Sequence, residues 1–505
     1  MISGKEIKVL DNNAEFYGVP SQVLMENAGK SIAELIETKC KLDVKEILFI
    51  CGLGNNGGDG FVGARYLSKK YNVTVLLTGK EKDIKTEVSK TNFNKLKKEN
   101  VRIHFWDSKD QLQQLLSKCD IIVDSMLGIG LSGSLRQPYL TIVNMINNSK
   151  RKTIFSVDIA TGFGTDTQIK PNYTITFHDV KYGMNTQNSG QITKADIGVP
   201  QKAIDYIGPG ELKVYYPRPK KESHKGENGR VLVIGGGPYT GAPALTGLAA
   251  LRTGADLVYI FSPKRVAQAI TSFSPLIINP KKLAGKIASL SPNLIVSELN
   301  DHDKLVLDDI KEIQKNITRV DSCAIGPGLG SENETIETIN KLISLFVKNK
   351  NSLVIDADAI KVVGKDPKIL KNSKTIVTPH SGEFKELTGV KLKEDINTRK
   401  SEVEKQANKL GITILLKGPI DVISDGKQTK LNDIHNPSMT VGGTGDVLAG
   451  ICVSLLSKGV EPFNAARIAA FLNGSAGNIS FDKKSYGLIA TDIIDNIPTV
   501  LKKYI

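Results

Sequence analysis

Residues 442–446 read Gly-Gly-Thr-Gly-Asp, and residues 447–453 continue as Val-Leu-Ala-Gly-Ile-Cys-Val. The apolar run predicts a buried helix directly after a glycine-rich loop. Glycine lets backbone N–H groups approach an anion, and the positive end of the helix favours negative charge at the same place. Asp446 could accept a proton from a hydroxyl that attacks phosphorus. The stretch favours phosphoryl transfer, while the simpler interpretation is a turn whose Asp446 caps the helix.

Short apolar runs alternate with helical patterns along the whole chain. This alternation predicts two α/β domains, each a mostly parallel sheet covered by helices, with sites at the carboxyl ends of the strands. The stretch 208–225 holds three prolines and a basic cluster, which is typical of a connection, so we expect domains at 1–212 and 213–505. The predicted strands are 46–51, 73–77, 120–124, 153–158, 230–234, 257–261, 322–325, 352–355, 375–377, 413–416 and 421–423.

Composition narrows the class of protein. A chain of 505 residues exceeds one ordinary core, and no apolar stretch is long enough to cross a bilayer, so a cytoplasmic protein is expected. Its five cysteines form no C-x-x-C pair, which argues against a zinc site or a disulfide framework. The net charge of +14 is spread along the chain without aromatic residues in the basic clusters, which argues against nucleic acid as the partner.

Three oxygen-rich loops follow strands of the first domain. Gly52, Gly54 and Gly57 match the dinucleotide fingerprint, but the second strand lacks the acidic residue that this fingerprint requires at its end. The Asn-Asn-Gly-Gly-Asp core at 55–59 can hold polar ligand groups or a hard cation, or it is simply a tight turn. Asp124 and Asp158 precede the other two loops. We expect an alkali cation held by Asn56, Asp124 and Thr161, because hard cations prefer oxygen donors.

These loops resemble the YjeF N-terminal type of domain, NAD(P)H-hydrate epimerase. The resemblance implies a Rossmann-like fold, a K⁺-assisted site that interconverts the R and S epimers of NADHX and NADPHX, and Asp158 and Lys181 as catalytic residues. One departure is Ala160-Thr161-Gly162 in place of the family's Pro-Ser-Gly, although Thr161 keeps the hydroxyl. The substrate-binding residues that the resemblance implies are Asn55, Asn56, Gly57, Gly58, Asp59, Gly128, Ile129, Gly130, Leu131, Ser132, Gly133, Ser134 and Asp158.

Four further segments of the second domain accompany the loop at 442–446. They are 223–226, the glycine-rich stretch 235–242, 326–330, and 378–384 with His380, and Lys417 to Asp421 then follow a strand. Singly each has an ordinary explanation: His380 as a hydrogen-bonded structural histidine, Lys417 as a solvated charge. In this order the segments resemble the ribokinase-like ADP- or ATP-dependent NAD(P)H-hydrate dehydratase over nearly all of residues 222–500.

That second resemblance implies the site residues of the dehydratase. Asp446 would act as the catalytic base, and the hydrated cofactor would be held by Ala242, Gly328, His380 and Asp446. The adenine nucleotide would be held by Lys417, Gly418, Pro419, Ile420, Asp421 and Gly445. Mg²⁺ is expected with the nucleotide phosphates, and the fused layout favours ADP by analogy with the family.

The fold class expected is therefore two three-layer αβα domains, Rossmann-like and then ribokinase-like. The function expected is repair of NADHX and NADPHX by a homo-oligomer that uses ADP. The first alternative is a ribokinase-class kinase of a small molecule, which would release a stable phosphorylated product. The second is an N-terminal domain that only binds, against which the retention of Asp59, Asp124, Asp158 and Lys181 speaks.

Overall fold

The computed structural model describes residues 1–40, 44–130, 133–149, 151–272 and 293–505. These residues form two compact units, Met1–Ile204 and Asp205–Ile505. The divide therefore lies before the expected position at 212/213, and the segment predicted as a connection begins with a helix, Pro209–Tyr215. This helix belongs to the second unit because Glu211 is fully buried and pairs with the equally buried Arg467 at 3.4 Å between Oε1 and Nη1.

The first unit is built on a seven-stranded sheet in the order β3-β2-β1-β4-β5-β6-β7, and every neighbouring pair is parallel. Its strands are β1 (Glu46–Cys51), β2 (Asn72–Leu77), β3 (Val101–Phe105), β4 (Ile121–Ser125), β5 (Thr153–Val157), β6 (Tyr173–Phe177) and β7 (Gln191–Ala195). Its helices are α1 (Gly4–Phe16), α2 (Ser21–Lys39), α3 (Asn55–Leu67), α4 (Glu87–Leu96), α5 (Lys109–Lys118), α6 (Tyr139–Asn147), α7 (Thr186–Ser189) and, at the junction, α8 (Gln201–Asp205).

The second unit is built on a nine-stranded sheet in the order β10-β9-β8-β11-β12-β13-β14-β15-β16, parallel except at β14-β15 and β15-β16. Its strands are β8 (Arg230–Ile234), β9 (Leu257–Ser262), β10 (Ile295–Glu298), β11 (Ser322–Ile325), β12 (Ser352–Ile355), β13 (Thr375–Val377), β14 (Thr413–Leu416), β15 (Asp421–Ser424) and β16 (Thr429–Asn432). Its helices are α9 (Pro209–Tyr215), α10 (Gly241–Arg252), α11 (Lys264–Ser272), α12 (Asp309–Ile317), α13 (Asn333–Lys348), α14 (Asp358–Lys365), α15 (Ser381–Thr388), α16 (Ile396–Leu410), α17 (Thr444–Ser457), α18 (Pro462–Lys484) and α19 (Ala490–Tyr504).

Each sheet is buried on both faces. In β1, Ile47 and Phe49 join one apolar cluster while the alternating Leu48 and Ile50 join another. In β8, Val231 and Val233 pack on one side and Leu232 and Ile234 on the other. Side chains alternate across a strand, so these continuous apolar runs require helices on both faces of the sheet. The expected α/β class of both domains is confirmed. Within the described ranges, no helix is both long enough and apolar enough to cross a bilayer.

The buried pair in α9 and α18 predicts a stability effect. Replacing Glu211 by glutamine leaves the Arg467 guanidinium charged in the interior, so we expect the free energy of unfolding to fall by about 3–5 kcal/mol. Urea denaturation followed by circular dichroism measures this change. As a matched control, Lys374→Met removes an exposed pair with Glu461 and should cost at most about 1 kcal/mol. Equal effects of the two substitutions would contradict the role of the buried pair.

Candidate active sites

The crevice of the first unit lies where the strand order reverses, between β1 and β4. The two strand ends are joined by the Gly52 N–H, which donates to the Ser125 carbonyl at 3.0 Å. The segment 55–59 was expected to be a loop, but α3 already begins at Asn55. These residues therefore form the first turns of a helix, whose positive end points into the crevice and suits an anionic ligand.

Asp124 anchors the second and third loops to each other. Its buried carboxylate accepts hydrogen bonds from the Thr161 N–H at 2.8 Å, the Thr161 hydroxyl at 2.6 Å and the Ser156 hydroxyl at 2.9 Å. The Thr161 hydroxyl in turn accepts from the Leu127 N–H at 3.1 Å. Burial raises the pKa of Asp124, and these donors oppose that rise. Thr161 is thus the residue that ties the two loops together.

Asn56 supplies an unsatisfied amide in the same place. Its backbone carbonyl accepts a hydrogen bond from Ser125, the residue after Asp124. Its side-chain Oδ1 and Nδ2 are both buried and have no hydrogen-bond partner among the described residues. A buried amide without a hydrogen-bond partner costs free energy. A ligand that binds the Asn56 side-chain oxygen is therefore expected there. The three residues predicted for a cation, Asn56, Asp124 and Thr161, are neighbours in the fold.

Asp158 and Lys181 form an ion pair at the ends of β5 and β6. Asp158 is 9% exposed and Lys181 only 3%. The Lys181 amine donates to Asp158 Oδ1, to the Thr176 hydroxyl at 2.6 Å and to the Phe177 carbonyl at 2.9 Å. The Phe177 N–H also donates to Asp158 Oδ1, at 3.3 Å. Both hydrogen bonds to Asp158 use Oδ1, so among the described residues Oδ2 is left available to a ligand.

Asp59 is electrostatically coupled to this pair. Burial raises the pKa of Asp59 well above its usual value, and the negative charges of Asp158 and Asp11 raise it further. Asp11 in α1 also contacts His178, with 3.1 Å between Oδ1 and Nε2. Sequence reasoning gave no role to Asp11 or to His178, although His178 lies in the segment 176–181 that matches the family, because the contact joins residues far apart in the chain.

The other residues predicted for the epimerase lie either at the start of α3 or in the loop after β4. The Asn55 amide oxygen accepts from the Thr86 hydroxyl at 2.6 Å, so its side chain holds the start of α4. Gly57 and Gly58 are buried in α3. The loop after β4 is partly to fully exposed at Gly128, Ile129, Gly130, Gly133 and Ser134, whereas Leu131 and Ser132 lie outside the described residues.

In the second unit, α17 begins at Thr444, before the expected start at Val447. Gly443 precedes the helix with φ +93°, a conformation that favours glycine. Among the residues that the structure describes, no side chain caps the helix and its N-cap is Gly443, so the interpretation of Asp446 as a cap is wrong. Asp446 instead stands in the first turn, where the helix amides gather.

Lys417 is the positive centre of this site. Its amine lies 3.1 Å from Asp356 Oδ1 and 3.8 Å from Glu383 Oε2. Asp356 is 2% exposed and also accepts from the Thr378 hydroxyl at 2.6 Å. Sequence reasoning missed Asp356, although it directly follows the apolar strand β12, which is the signal that could have found it.

Burial and the neighbouring charges together set the pKa values of Asp446 and Lys417. Burial raises the pKa of Asp446 to about 7; the negative charge of Asp356 contributes to the rise, and Lys417 opposes it. Burial alone would lower the pKa of Lys417, but Asp356, Glu383 and Asp446 outweigh burial and raise it. The lysine therefore stays charged, while Asp446 changes its charge near neutral pH.

His380 has the structural role that the sequence left open, and it also keeps an exposed edge. Its Nδ1 accepts from the N–H groups of Gly382 at 3.0 Å and Glu383 at 3.2 Å, which caps α15. Glu383 completes a capping box by accepting from the His380 N–H at 2.8 Å. The imidazole side chain is 62% exposed, so it can still contact a ligand.

Ala242 and Gly328 lie together where the strand order of this sheet reverses, between β8 and β11. Gly328 has φ +69°, and a Cβ there would lie 2.9 Å from the Tyr239 carbonyl oxygen and 3.4 Å from the Ala242 Cβ. The Gly236 N–H donates to the Pro327 carbonyl at 2.8 Å. Two glycine-rich loops thus line one side of the crevice, as expected from the motifs.

The residues from Lys417 to Asp421 form a turn between β14 and β15, which we call the nucleotide turn after the role that the sequence predicts for it. Asp421 holds it by accepting from the Gly418 N–H at 3.0 Å and from the Asn432 amide at 2.9 Å. Pro419 and Ile420 lie at its tip. A Cβ on Gly445 would lie 3.4 Å from the Lys417 amine, so this turn and the start of α17 meet as predicted.

Comparisons with known proteins agree with this arrangement. The family model described as NAD(P)H-hydrate dehydratase matches residues 231–499, and the one described as YjeF-related protein N-terminus matches residues 21–183. Bifunctional NAD(P)H-hydrate repair enzyme Nnr of Hyperthermus butylicus is 38% identical over 99% of this chain and 92% of its own. The enzyme of the same name from Archaeoglobus fulgidus is 37% identical over 99% and 98%. A ribokinase-like superfamily protein of Enterococcus faecalis V583 is 24% identical, with a TM-score of 0.50 over 59% of this chain and 96% of its own.

The last similarity shows the fold of the second unit, which is ribokinase-like. Two α/β domains, each with a polar crevice at its strand reversal, together with the two family models that match them, define a two-domain enzyme. The chain belongs to the family of bifunctional NAD(P)H-hydrate repair enzymes, with an epimerase domain and a dehydratase domain. The family expected from the sequence is confirmed.

Proposed function

We propose that this protein restores hydrated nicotinamide cofactors in two steps. The first unit interconverts the R and S epimers of NADHX and NADPHX. The second unit removes water from the S epimer and consumes ADP, which yields NADH or NADPH, AMP and phosphate. The observation that carries the proposal is the Asp446 carboxyl group, half-buried in the first turn of α17 and electrostatically coupled to the charged Lys417.

The dehydration is driven by phosphorylation. Asp446 takes the proton of the C6 hydroxyl as its oxygen attacks the β-phosphorus of ADP, and the bond to the AMP oxygen breaks. Lys417 and the first amides of α17 stabilise negative charge on the phosphoryl oxygens. The new bond is between that oxygen and phosphorus. The original C6–O bond then breaks, phosphate leaves with the electron pair, and C5 loses a proton to water as the ring double bond returns. Hydroxide leaves poorly and phosphate leaves well, which is why a dehydratase uses a kinase-like site.

We expect Mg²⁺ to enter with the nucleotide. Among the described residues, no group of three or more histidine, cysteine, aspartate or glutamate side chains gathers as a metal site. Mg²⁺ commonly keeps waters and substrate phosphate oxygens as most of its ligands, so a built cage is not required. When bound, the ion would neutralise part of the phosphate charge. The choice of ADP over ATP rests on the analogy with fused members of the family.

The epimerase can use its two coupled carboxyl groups as acid and base. The raised pKa of Asp59 favours its protonated form, and Asp158 makes an ion pair with Lys181. Asp59 protonates the C6 hydroxyl, which leaves as water while the ring nitrogen takes the positive charge. Water returns on the opposite face and gives its proton to Asp158. The two groups then exchange protons with solvent before the next turnover.

Potassium fits beside this pair. Asn56 Oδ1, Asp124 and Thr161 supply oxygen donors, and the unpartnered amide of Asn56 would gain a ligand. The ion would supply positive charge that holds the three loops around the substrate. We expect epimerisation to slow when K⁺ is replaced by tetramethylammonium, and the dehydration of pure S-NADHX to keep its rate. Chiral chromatography of the two epimers measures the first rate, and absorbance of NADH the second. Equal epimerase rates in both salts would exclude the cation.

One assay tests the whole proposal. Purified protein is incubated with mixed R- and S-NADHX and ADP, and NADH, AMP and phosphate are measured together with both epimers. We expect all hydrate to be converted, with one AMP and one phosphate formed for each NADH. Consumption of ADP with a stable phosphorylated product and no NADH would instead identify a small-molecule kinase.

The pKa of Asp446 predicts the pH dependence of dehydration. Asp446 acts as a base only when ionised, so kcat/KM for S-NADHX should fall as the pH drops through about 7. Replacing Asp356 by asparagine removes a neighbouring negative charge, lowers the pKa of Asp446 and should move this fall to lower pH. Initial rates between acidic and mildly alkaline pH measure both profiles. A profile that the substitution leaves unchanged would contradict the coupling.

A further inference from the structure

Arg399, in α16, is a cation that neither resemblance assigns. Its Nη1 makes one long hydrogen bond, 3.4 Å to the Ser381 hydroxyl. Its Nη2 is buried and has no hydrogen-bond partner in the described ranges. A guanidinium has five N–H donors and normally meets carboxylate or phosphate oxygens. Arg399 is therefore short of acceptors.

The place of Arg399 is unfavourable for an unpaired cation. The Asp395 carboxylate accepts from the Thr398 N–H at 2.7 Å, so α16 begins just before Arg399. The start of a helix carries partial positive charge, which disfavours a cation and favours an anion. Lys417 differs from Arg399 in this respect, because the carboxylates of Asp356 and Glu383 already neutralise its positive charge.

Arg399 also lies against both predicted substrate segments. A Cβ on Gly418 would lie 2.7 Å from the Arg399 Nη2, so the backbone of the nucleotide turn packs on the guanidinium. On the other side its partner Ser381 follows His380, which is predicted to contact the hydrated cofactor. Both substrates carry phosphate groups.

We propose that Arg399 binds a phosphate group of a substrate, with its unpaired N–H donors directed to the phosphate oxygens. The nucleotide phosphates and the diphosphate of the hydrated cofactor share this chemistry. This inference rests on the proposed function for the identity of the ligands. A guanidinium fixed between the nucleotide turn and the segment with His380 would hold one substrate in a defined position relative to the other.

The test compares Arg399→Met with the parental enzyme by calorimetry of ADP, adenosine and inorganic diphosphate, and by the KM for S-NADHX. A hydrogen bond to a charged group corresponds to a loss of affinity of roughly ten- to a hundredfold. We expect that loss for ADP and diphosphate, with the affinity for adenosine unchanged. A loss confined to the KM for S-NADHX would assign Arg399 to the diphosphate of the cofactor.

Two further variants separate binding from folding. Gly418→Ala should displace the guanidinium and weaken the same ligand, while Arg399→Lys should restore part of the affinity. Lys400→Met, next along α16 and paired with Asp205 at 3.6 Å, is the matched control and should bind ADP as the parent does. The melting temperature of the Arg399→Met protein should not fall, because the substitution removes a positive charge from the positive end of α16.

The inference is overturned if Arg399→Met keeps the affinity for both ADP and diphosphate and the KM for S-NADHX within twofold of the parent. A parental enzyme that binds diphosphate through Arg399 but converts no hydrate would instead refute the proposed function alone.

Discussion

The Asp446→Asn enzyme is expected to lose dehydration almost completely while it still binds ADP. A positioned general base contributes about 10²- to 10⁴-fold to a rate, and asparagine cannot take the proton of the attacking hydroxyl. Asparagine nearly matches aspartate in size, so the start of α17 and the contact between Gly445 and Lys417 should persist. Single-turnover formation of NADH measures the rate, and calorimetry measures the affinity for ADP.

The control for this substitution is Asp495→Asn, which changes a carboxylate that is 70% exposed in α19. It should leave both the rate and the affinity unchanged. If Asp446→Asn enzyme dehydrates S-NADHX at the parental rate, Asp446 is not the base. If the loss lies wholly in ADP affinity, its role is nucleotide binding.

Asp158→Asn should abolish the conversion of R to S epimer and leave dehydration of pure S epimer intact. The expected loss is again about 10²- to 10⁴-fold, because asparagine cannot receive the proton that the returning water gives up. Chiral chromatography of R-NADHX incubated without ADP follows the reaction. The Asp446→Asn enzyme should show the opposite pattern, with normal epimerisation and no NADH.

This reciprocal pattern is the strongest check on the two-site interpretation. An Asp158→Asn enzyme that still equilibrates the epimers would remove Asp158 from the chemistry. Loss of both activities in either variant would point to a defect of folding, and circular dichroism would reveal it. Lys181→Met provides a second approach, since it leaves the Asp158 carboxylate without its partner.

The burial of the strands explains which of them could be predicted from the sequence. All eleven predicted strands exist, because runs such as Val231–Ile234 are apolar on both faces. The strands that were not predicted are less apolar or lie towards the edges of the sheets, where one side is exposed or polar. They are Val101–Phe105, Tyr173–Phe177, Gln191–Ala195, Ile295–Glu298 and Thr429–Asn432.

The candidate site residues that the sequence predicts lie where a motif concentrates chemistry within a few residues. Asp446, Lys417 and the pairing of Asp124 with Thr161 belong to such motifs. Asp356 and Arg399 were not predicted, because each is of interest only through a contact with a distant segment. Asp356 contacts Lys417, and Arg399 lies against Gly418. The starts of α3 and α17 were placed too late, because glycine has low helix propensity although it fits the crowded first turn.

The raised pKa of Asp446 also implies a trade-off between stability and activity. The folded protein holds that proton up to about pH 7, whereas the unfolded chain releases it near the ordinary aspartate pKa of about 3.8. Ionisation of Asp446 therefore favours the unfolded chain, and its contribution to the stability of the second unit is lost as the pH rises between these two values. We therefore expect a neutral residue at this position to give a protein that is more stable at neutral pH but lacks the proposed base, so that stability and the proposed activity oppose each other here.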